Sequence, residues 1–307
     1  MDDIVKQIRE LCAARNARIM AHNYVRPEVQ EIADLFGDSY ELARRSLEID
    51  ADVLVLCGVR FMAETLKLLN PGKTVILPDM DAGCPMADMA DADRVAEMRR
   101  RNPEAVFVCY VNTTARVKAL SDVCCTSSNA LAIVRSIPAG RPIVFLPDRN
   151  LGSWISSVTG RDMILWGGCC PSHNRILPEH VAAARRGYPA ALVMVHPECT
   201  PEVRDLADVV LGTSAMISWA AARGPGMYVV GTEEGLLYRL RRENPGSTFV
   251  GLEPAVHCAN MKKITLAKIL WALQDMYGVV EVPADVSEGA LASLDRMLVL
   301  AAAGLGT

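Results

Sequence analysis

Three cysteines stand out by their spacing. Cys84, Cys170 and Cys258 lie 86 and 88 residues apart, each a short way beyond an apolar run. Two of them sit among turn formers, in Asp81-Ala82-Gly83-Cys84-Pro85 and Gly167-Gly168-Cys169-Cys170-Pro171; the third closes Pro254-Ala255-Val256-His257-Cys258. Three thiolates brought to one point suit a metal centre. A closed structural zinc site takes four ligands, usually in pairs two to four residues apart. Cys124-Cys125 and Cys169-Cys170 are adjacent, a poor spacing for chelating one ion. A [4Fe–4S] cube normally takes four thiolates. With three, one iron keeps an open position and acts as a Lewis acid on an oxygen-bearing reactant, which favours dehydration over electron transfer. Glycine beside such a cluster lets the backbone approach closely. His257 is a candidate fourth ligand, although a sequence neighbour usually points elsewhere. Chemistry does not choose between Cys169 and Cys170; the common offset favours Cys170.

A second set of polar residues repeats with spacings of 88 and 86: His22, Tyr110 and His196; Tyr24, Asn112 and Glu198; Asp34, Asp122 and Asp208; Ser39, Ser127 and Thr213. The elements that must position them repeat as well. An apolar strand ends at each member of the first set, in 17–24, 105–112 and 191–198. An Asp step and a hydroxyl residue opening a helix follow, then a second buried strand (52–56, 142–146, 227–230), a helix, and a third strand (74–77, 163–165, 248–251) running into the cysteine. Several landmarks agreeing on one period mean three copies of one strand–helix unit. Short buried strands alternating with helices predict parallel sheets, and right-handed crossovers place all strand C-termini on one edge, where ligands bind. The expectation is an α/β protein of three pseudo-threefold-related α/β/α, Rossmann-like domains around a central cavity. They span 1–100 with an N-terminal helix near 3–15, 101–187 and 188–263, and C-terminal helices near 264–278 and 287–303, within 264–307, pack back on the assembly.

Composition agrees with an ordinary globular core: 307 residues, 51% hydrophobic and 22% charged, with a net charge of −4. No basic field invites nucleic acid. Basic runs such as Arg99-Arg100-Arg101 read as solvated helix faces. The charged start is not a signal peptide, and no apolar run approaches the ~20 residues of a membrane span, so a cytoplasmic enzyme without membrane or nucleic-acid partners is expected. In a reducing compartment ten cysteines are not a disulfide framework. Cys12, Cys57 and Cys109 read as core residues.

The stretches Ala21-His22-Asn23-Tyr24, Pro78-Asp79-Met80-Asp81-Ala82-Gly83-Cys84-Pro85, Tyr110-Val111-Asn112, Phe145-Leu146-Pro147-Asp148-Arg149-Asn150-Leu151-Gly152, His196-Pro197-Glu198-Cys199, Gly231-Thr232-Glu233 and Cys258-Ala259-Asn260-Met261-Lys262-Lys263 resemble the quinolinate synthase family, in order, over about residues 19 to 270. The family pattern around the second cysteine selects Cys170 from Trp166-Gly167-Gly168-Cys169-Cys170-Pro171-Ser172-His173, with Ser172 a departure. The resemblance implies condensation of iminoaspartate with dihydroxyacetone phosphate to quinolinate, for NAD synthesis, on a [4Fe–4S] cluster held by Cys84, Cys170 and Cys258. It implies substrate contacts at His22, Ser39, Tyr110, Val111, Asn112, Ser127, His196, Pro197, Glu198 and Thr213, where Ser214 is the adjacent alternative. It also implies catalytic roles for His196, Glu198, Tyr110 and Tyr24, and receipt of iminoaspartate from an aspartate-oxidising enzyme. The hydroxyls at helix starts suit anions or plain N-capping. Rival readings are an aconitase-like hydro-lyase, an iron–sulfur redox sensor and a zinc-containing structural protein.

Overall fold

A computed structural model describes residues 2–304. It contains three four-stranded sheets, and every pairing within them is parallel. The first sheet comprises β1 (Ala17–His22), β2 (Leu35–Gly37), β3 (Val53–Cys57) and β4 (Thr74–Ile76). The second has β5 (Val106–Tyr110), β6 (Val123–Cys125), β7 (Ile143–Leu146) and β8 (Ile164–Leu165), and the third β9 (Leu192–Val195), β10 (Val209–Val210), β11 (Met227–Gly231) and β12 (Thr248–Gly251). Their orders are β2-β1-β3-β4, β6-β5-β7-β8 and β10-β9-β11-β12, which is one topology three times. The central strands β3 and β7 are buried along their whole length, as strands covered on both faces by helices must be.

The sequence pattern predicts three strands per unit; the structure has four. The additional edge strands β2, β6 and β10 hold only two or three residues each, too few to leave a periodic signal. They follow the repeated aspartates, and those aspartates have one job. The carboxylates of Asp34, Asp122 and Asp208 accept the backbone N–H of Ile19, Phe107 and Val193 at 2.8, 2.8 and 2.7 Å. Each also pairs with an arginine of the preceding helix: Arg9 at 2.8 Å, Arg99 at 2.6 Å and Arg185 at 3.0 Å. The aspartate thus ties the first strand of its sheet to the helix before it.

The terminal helices close the structure. Asp2–Ala14 packs on Leu266–Asp275, and Ala284–Gly304 lies against the helices Ala115–Ala119 and Ala130–Ser136 of the second unit. Between them the chain touches the edge of the first sheet in an antiparallel bridge, Ile76 with Val279. Gly278 there has φ +81°, and an added Cβ would sit 2.2 Å from the Leu77 carbonyl, so only glycine fits. No helix among the described residues is long and apolar enough to cross a membrane.

In each sheet the chain turns to opposite sides after its first strand, so the switch point lies between the first and second predicted strands: β1 and β3, β5 and β7, β9 and β11. Open α/β sheets bind ligands at that point, beyond the strand C-termini.

Asp122→Ala is expected to destabilise the protein by about 1–3 kcal/mol, since it orphans the Phe107 N–H and the Arg99 guanidinium. Urea-unfolding midpoints measure this. Burial opposes ionisation of Asp122, but the Arg99 hydrogen bonds and the Phe107 N–H outweigh it and lower its pKa. The stability it contributes is therefore present above the ordinary carboxylate range and lost as pH falls through the lowered value, so the wild-type advantage narrows below about pH 4.

Candidate active site

The three sheet edges meet at a cavity of about 240 Å³. His22 ends β1, Tyr110 ends β5 and His196 follows β9 directly, and all three line it. Tyr24, Asn112 and Glu198, two residues further along each unit, line it as well, as do Ser39, Ser127, Thr213, Cys84, Cys170 and Cys258. Val111 and Pro197 are not among the lining residues. Both lie in turns beyond the strand ends: Val111 borders a small apolar void behind the site, and its carbonyl accepts a hydrogen bond from buried Lys118 at 2.8 Å, while the Pro197 carbonyl accepts from Arg204 at 3.0 Å.

The hydroxyl residues are not caps of their own helices. The helix Ser39–Ser46 is capped by Asp38, which accepts the Glu41 N–H, and the helix Thr213–Arg223 starts from Gly212. Ser39 and Thr213 occupy the first helical positions, and Ser127 lies in the turn before the helix Ala130–Ser136 rather than opening it. Thr213 accepts a hydrogen bond from Asn23 at 3.0 Å. The Asn112 Oδ1 is buried without a protein partner, an orphan that a ligand in the cavity can satisfy.

Backbone geometry decides which cysteine of the adjacent pair is equivalent to the other two. The carbonyls two residues before Cys84, Cys170 and Cys258 accept N–H bonds from Arg60 (2.9 Å), Arg149 (2.8 Å) and Glu234 (2.9 Å). The carbonyls of the same three cysteines accept from the residues four further on, Asp88 (3.2 Å), Asn174 (2.9 Å) and Lys262 (3.2 Å). Cys169 shares neither relation. Cys170 lines the cavity and Cys169 does not.

Among the described residues, two groups of His, Cys, Asp and Glu bring their ligand atoms within 4.8 Å of one another: Cys170, His173 and Glu198, and Glu233, Glu234 and His257. The three cysteines do not close to that span as a set. A single zinc ion with Zn–S distances near 2.3 Å needs them closer; a polynuclear cluster, one iron per thiolate, fits a wider triangle in an open cavity. Burial pushes the Cys84 thiol up to about 12 and raises those of Cys170 and Cys258. Such thiols lose their protons when a metal binds them. Beside Cys84, a Cβ built on Gly83 meets nothing within 4 Å, so the cavity side of that loop is open. Gly168 has another cause: its Cβ would strike the Pro147 carbonyl at 2.6 Å. His257 lines the cavity too, half exposed, with its Nδ1 paired with Glu234 at 2.8 Å.

A chain of polar contacts crosses the cavity wall. The Tyr24 hydroxyl lies 2.7 Å from Thr232 Oγ1, which lies 2.8 Å from His173 Nε2. His173 Nδ1 is 2.8 Å from Glu198 Oε2 and 3.2 Å from Cys170 Sγ, and the Tyr110 hydroxyl donates to Glu198 Oε1 at 2.6 Å. Burial would push the Glu198 carboxyl up, but His173 and His196 beside it and the hydrogen bonds from His173 and Tyr110 overcome this, holding it well below the usual carboxylate range. Burial, then the Glu198 charge, raises both tyrosines well above their ordinary value.

His22 and His196 act alike. Burial pushes their imidazoles down to about 4 and about 3, so both are neutral near pH 7. Nδ1 of each accepts the N–H of the residue two positions on, Tyr24 at 3.1 Å and Glu198 at 3.3 Å. A nitrogen that accepts carries no proton, which leaves Nε2–H as the donor each ring offers to the cavity.

His173, Thr232, Asp148, Glu233 and Lys262 are neighbours of the candidate site that the repeat spacings do not single out. His173 had a readable signal: it lies three residues after Cys170, and the 3₁₀ turn His173–Arg175 folds its ring back onto that sulfur.

The site's composition and its threefold frame agree with what comparison shows. The family model described as Quinolinate synthetase A protein matches residues 6–299. A quinolinate synthase of Thermodesulfovibrio yellowstonii is 50% identical over 96% of this chain and 98% of its own length. Those of Desulforudis audaxviator and Dehalococcoides mccartyi are 47% and 48% identical, over 97% and 96% of this chain and 99% and 97% of theirs. With a match of that extent, and with the cysteines, histidines and Glu198 on one cavity, the chain belongs to the quinolinate synthetase A family.

Proposed function

We propose that the enzyme condenses iminoaspartate with dihydroxyacetone phosphate to quinolinate, releasing phosphate and two waters, and that Cys84, Cys170 and Cys258 hold a [4Fe–4S] cluster with one iron free of protein ligands. The observation that carries this reading is that one cysteine from each repeat lines the same cavity as the Tyr24–Thr232–His173–Glu198–Tyr110 chain. When bound, the cluster supplies a Lewis-acid corner for a hydroxyl or carboxylate oxygen of the reactant.

The remaining tasks fall to the chain's own side chains. Both reactants are anions, and the first turns at Ser39 and Thr213 offer free N–H groups, the positive helix end and a hydroxyl each. Nε2–H of His22 and of His196 donates to carbonyl or carboxylate oxygens without adding charge. Glu198, ionised and buried, accepts a proton from the carbon or nitrogen beside the forming bond. A proton taken up there passes through His173 and Thr232 to Tyr24, which returns it to a departing hydroxyl; Tyr110 steadies Glu198 from the other side. Burial of the whole relay excludes bulk water from an imine that water hydrolyses. For the same reason direct hand-over from an aspartate-oxidising enzyme is the expected supply, and a reducing, cytoplasmic setting suits the free thiols.

Cys170→Ala is expected to abolish the visible absorbance, the bound iron and the activity while far-UV circular dichroism stays as in the wild type; Cys169→Ala keeps all three. A Cys170→Ala enzyme with normal iron and turnover overturns the ligand assignment. Glu198→Gln is expected to retain the cluster and lose about 10²- to 10⁴-fold in kcat, measured anaerobically with both proposed substrates; unchanged turnover removes Glu198 from the proton path. Turnover of citrate or malate in place of these substrates favours a hydro-lyase instead.

A further inference from the structure

Behind two of the three cysteines lies the same buried carboxylate bridge, and the first repeat lacks it. Asp148, after β7, is fully buried; its Oδ1 accepts the Leu151 N–H at 2.9 Å and its Oδ2 accepts the Cys170 N–H at 3.1 Å. Glu233, after β11, is also fully buried; its Oε2 accepts the Gly235 N–H at 2.7 Å and its Oε1 accepts the Cys258 N–H at 3.0 Å. Each carboxylate therefore spends one oxygen on the turn after its sheet's central strand and the other on the cysteine's own backbone. In the first repeat the equivalent position is Val59, which has no acceptor. The Cys84 loop keeps the backbone ties common to all three repeats, and Asp79 and Lys263 bond its Asp81 N–H and carbonyl at 2.9 and 2.6 Å, but no carboxylate among the described residues accepts the Cys84 N–H. Lys262 extends the third bridge, with Nζ 3.0 Å from Glu233 Oε1 and 2.7 Å from the Tyr24 carbonyl.

We propose that Asp148 and Glu233 are positioning residues that aim Cys170 and Cys258 at the cluster, so that at the two corners they serve a carboxylate holds the cysteine's own N–H, while the Cys84 corner has no such bridge. This rests on the reading of the three cysteines as cluster ligands. A carboxylate suits the task because both its oxygens accept. A carboxamide of the same shape turns one of them into a donor, which leaves a backbone N–H facing another N–H and frees either the cysteine or the turn.

The test uses the full chain, loaded anaerobically with iron and sulfide. Iron release to an excess of chelator is followed by the decay of visible absorbance, and thermal unfolding of the cluster-free proteins is measured beside it. Asp148→Asn and Glu233→Gln are each expected to release iron about 10- to 100-fold faster than the wild type, with cluster-free unfolding that remains cooperative. Should one substitution prevent folding, the other decides, since the two bridges lie in different repeats. Release at the wild-type rate from a folded variant overturns the inference and leaves the cluster reading standing. A wild-type chain that takes up no iron and sulfide overturns that reading and this inference with it.

Discussion

Bringing ionisable groups together on one buried axis is the constraint on which the structure turns. Parallel strands joined by helices deliver all their C-terminal ends to one edge, and three copies of the unit deliver three such edges to one place. His22, His196, Glu198, Tyr24 and Tyr110 arrive there almost wholly removed from water. No one of them is stable alone, because a buried polar group without a partner costs kilocalories. The tyrosines and Glu198 are made tolerable by groups from a different repeat, Tyr110 with Glu198, Tyr24 with Thr232 and Glu198 with His173, while His22 and His196 each bond a backbone N–H of their own repeat. The site therefore exists only when the three units are assembled.

Burial acts in opposite senses on the residues it collects. It drives the thiols and phenols up and the His22 and His196 imidazoles down, so these groups are neutral at pH 7. Glu198 differs from these groups, its carboxyl held well below the usual range by the donors around it. A buried carboxylate beside the neutral Nε2–H of His22 and His196 suits the binding of carboxylates through N–H and hydroxyl groups and proton movement at one defined position. Burial holds the thiols protonated until a metal binds, which keeps the proposed metal centre distinct from the proposed proton relay although Cys170 and His173 touch.

Much of this was legible in the sequence, because a repeat announces itself by offsets that no single motif carries. The shared periods of 88 and 86 locate the strand ends, the hydroxyl positions and the cysteines, and the structure places them on one cavity. What was not legible is of two kinds. The edge strands β2, β6 and β10 are too short to show a period, and Val111 and Pro197, in the turns just beyond β5 and β9, are not among the residues lining the cavity. Asp148 and Glu233 were hidden for a different reason: their partners are backbone N–H groups 22 and 25 residues away, and no pattern of side-chain types encodes such a bond.

The equivalent positions also differ in an ordered way. His22, Tyr110 and His196 share a place at the strand end, yet only the histidines present a neutral Nε2–H while the tyrosine braces a carboxylate. Tyr24, Asn112 and Glu198 share the next place and have become a hydroxyl, an amide and an anion. Val59, Asp148 and Glu233 share the turn behind the cysteines, and only two of them can accept a hydrogen bond. The aspartates that anchor the first strands, by contrast, are the same in all three units, each with its arginine. The residues that anchor the first strands are alike because each sheet poses the same geometric problem. Residues that face the cavity diverged because an asymmetric reactant needs a different group on each side, and a threefold frame supplies three equally well-placed positions at which to put them.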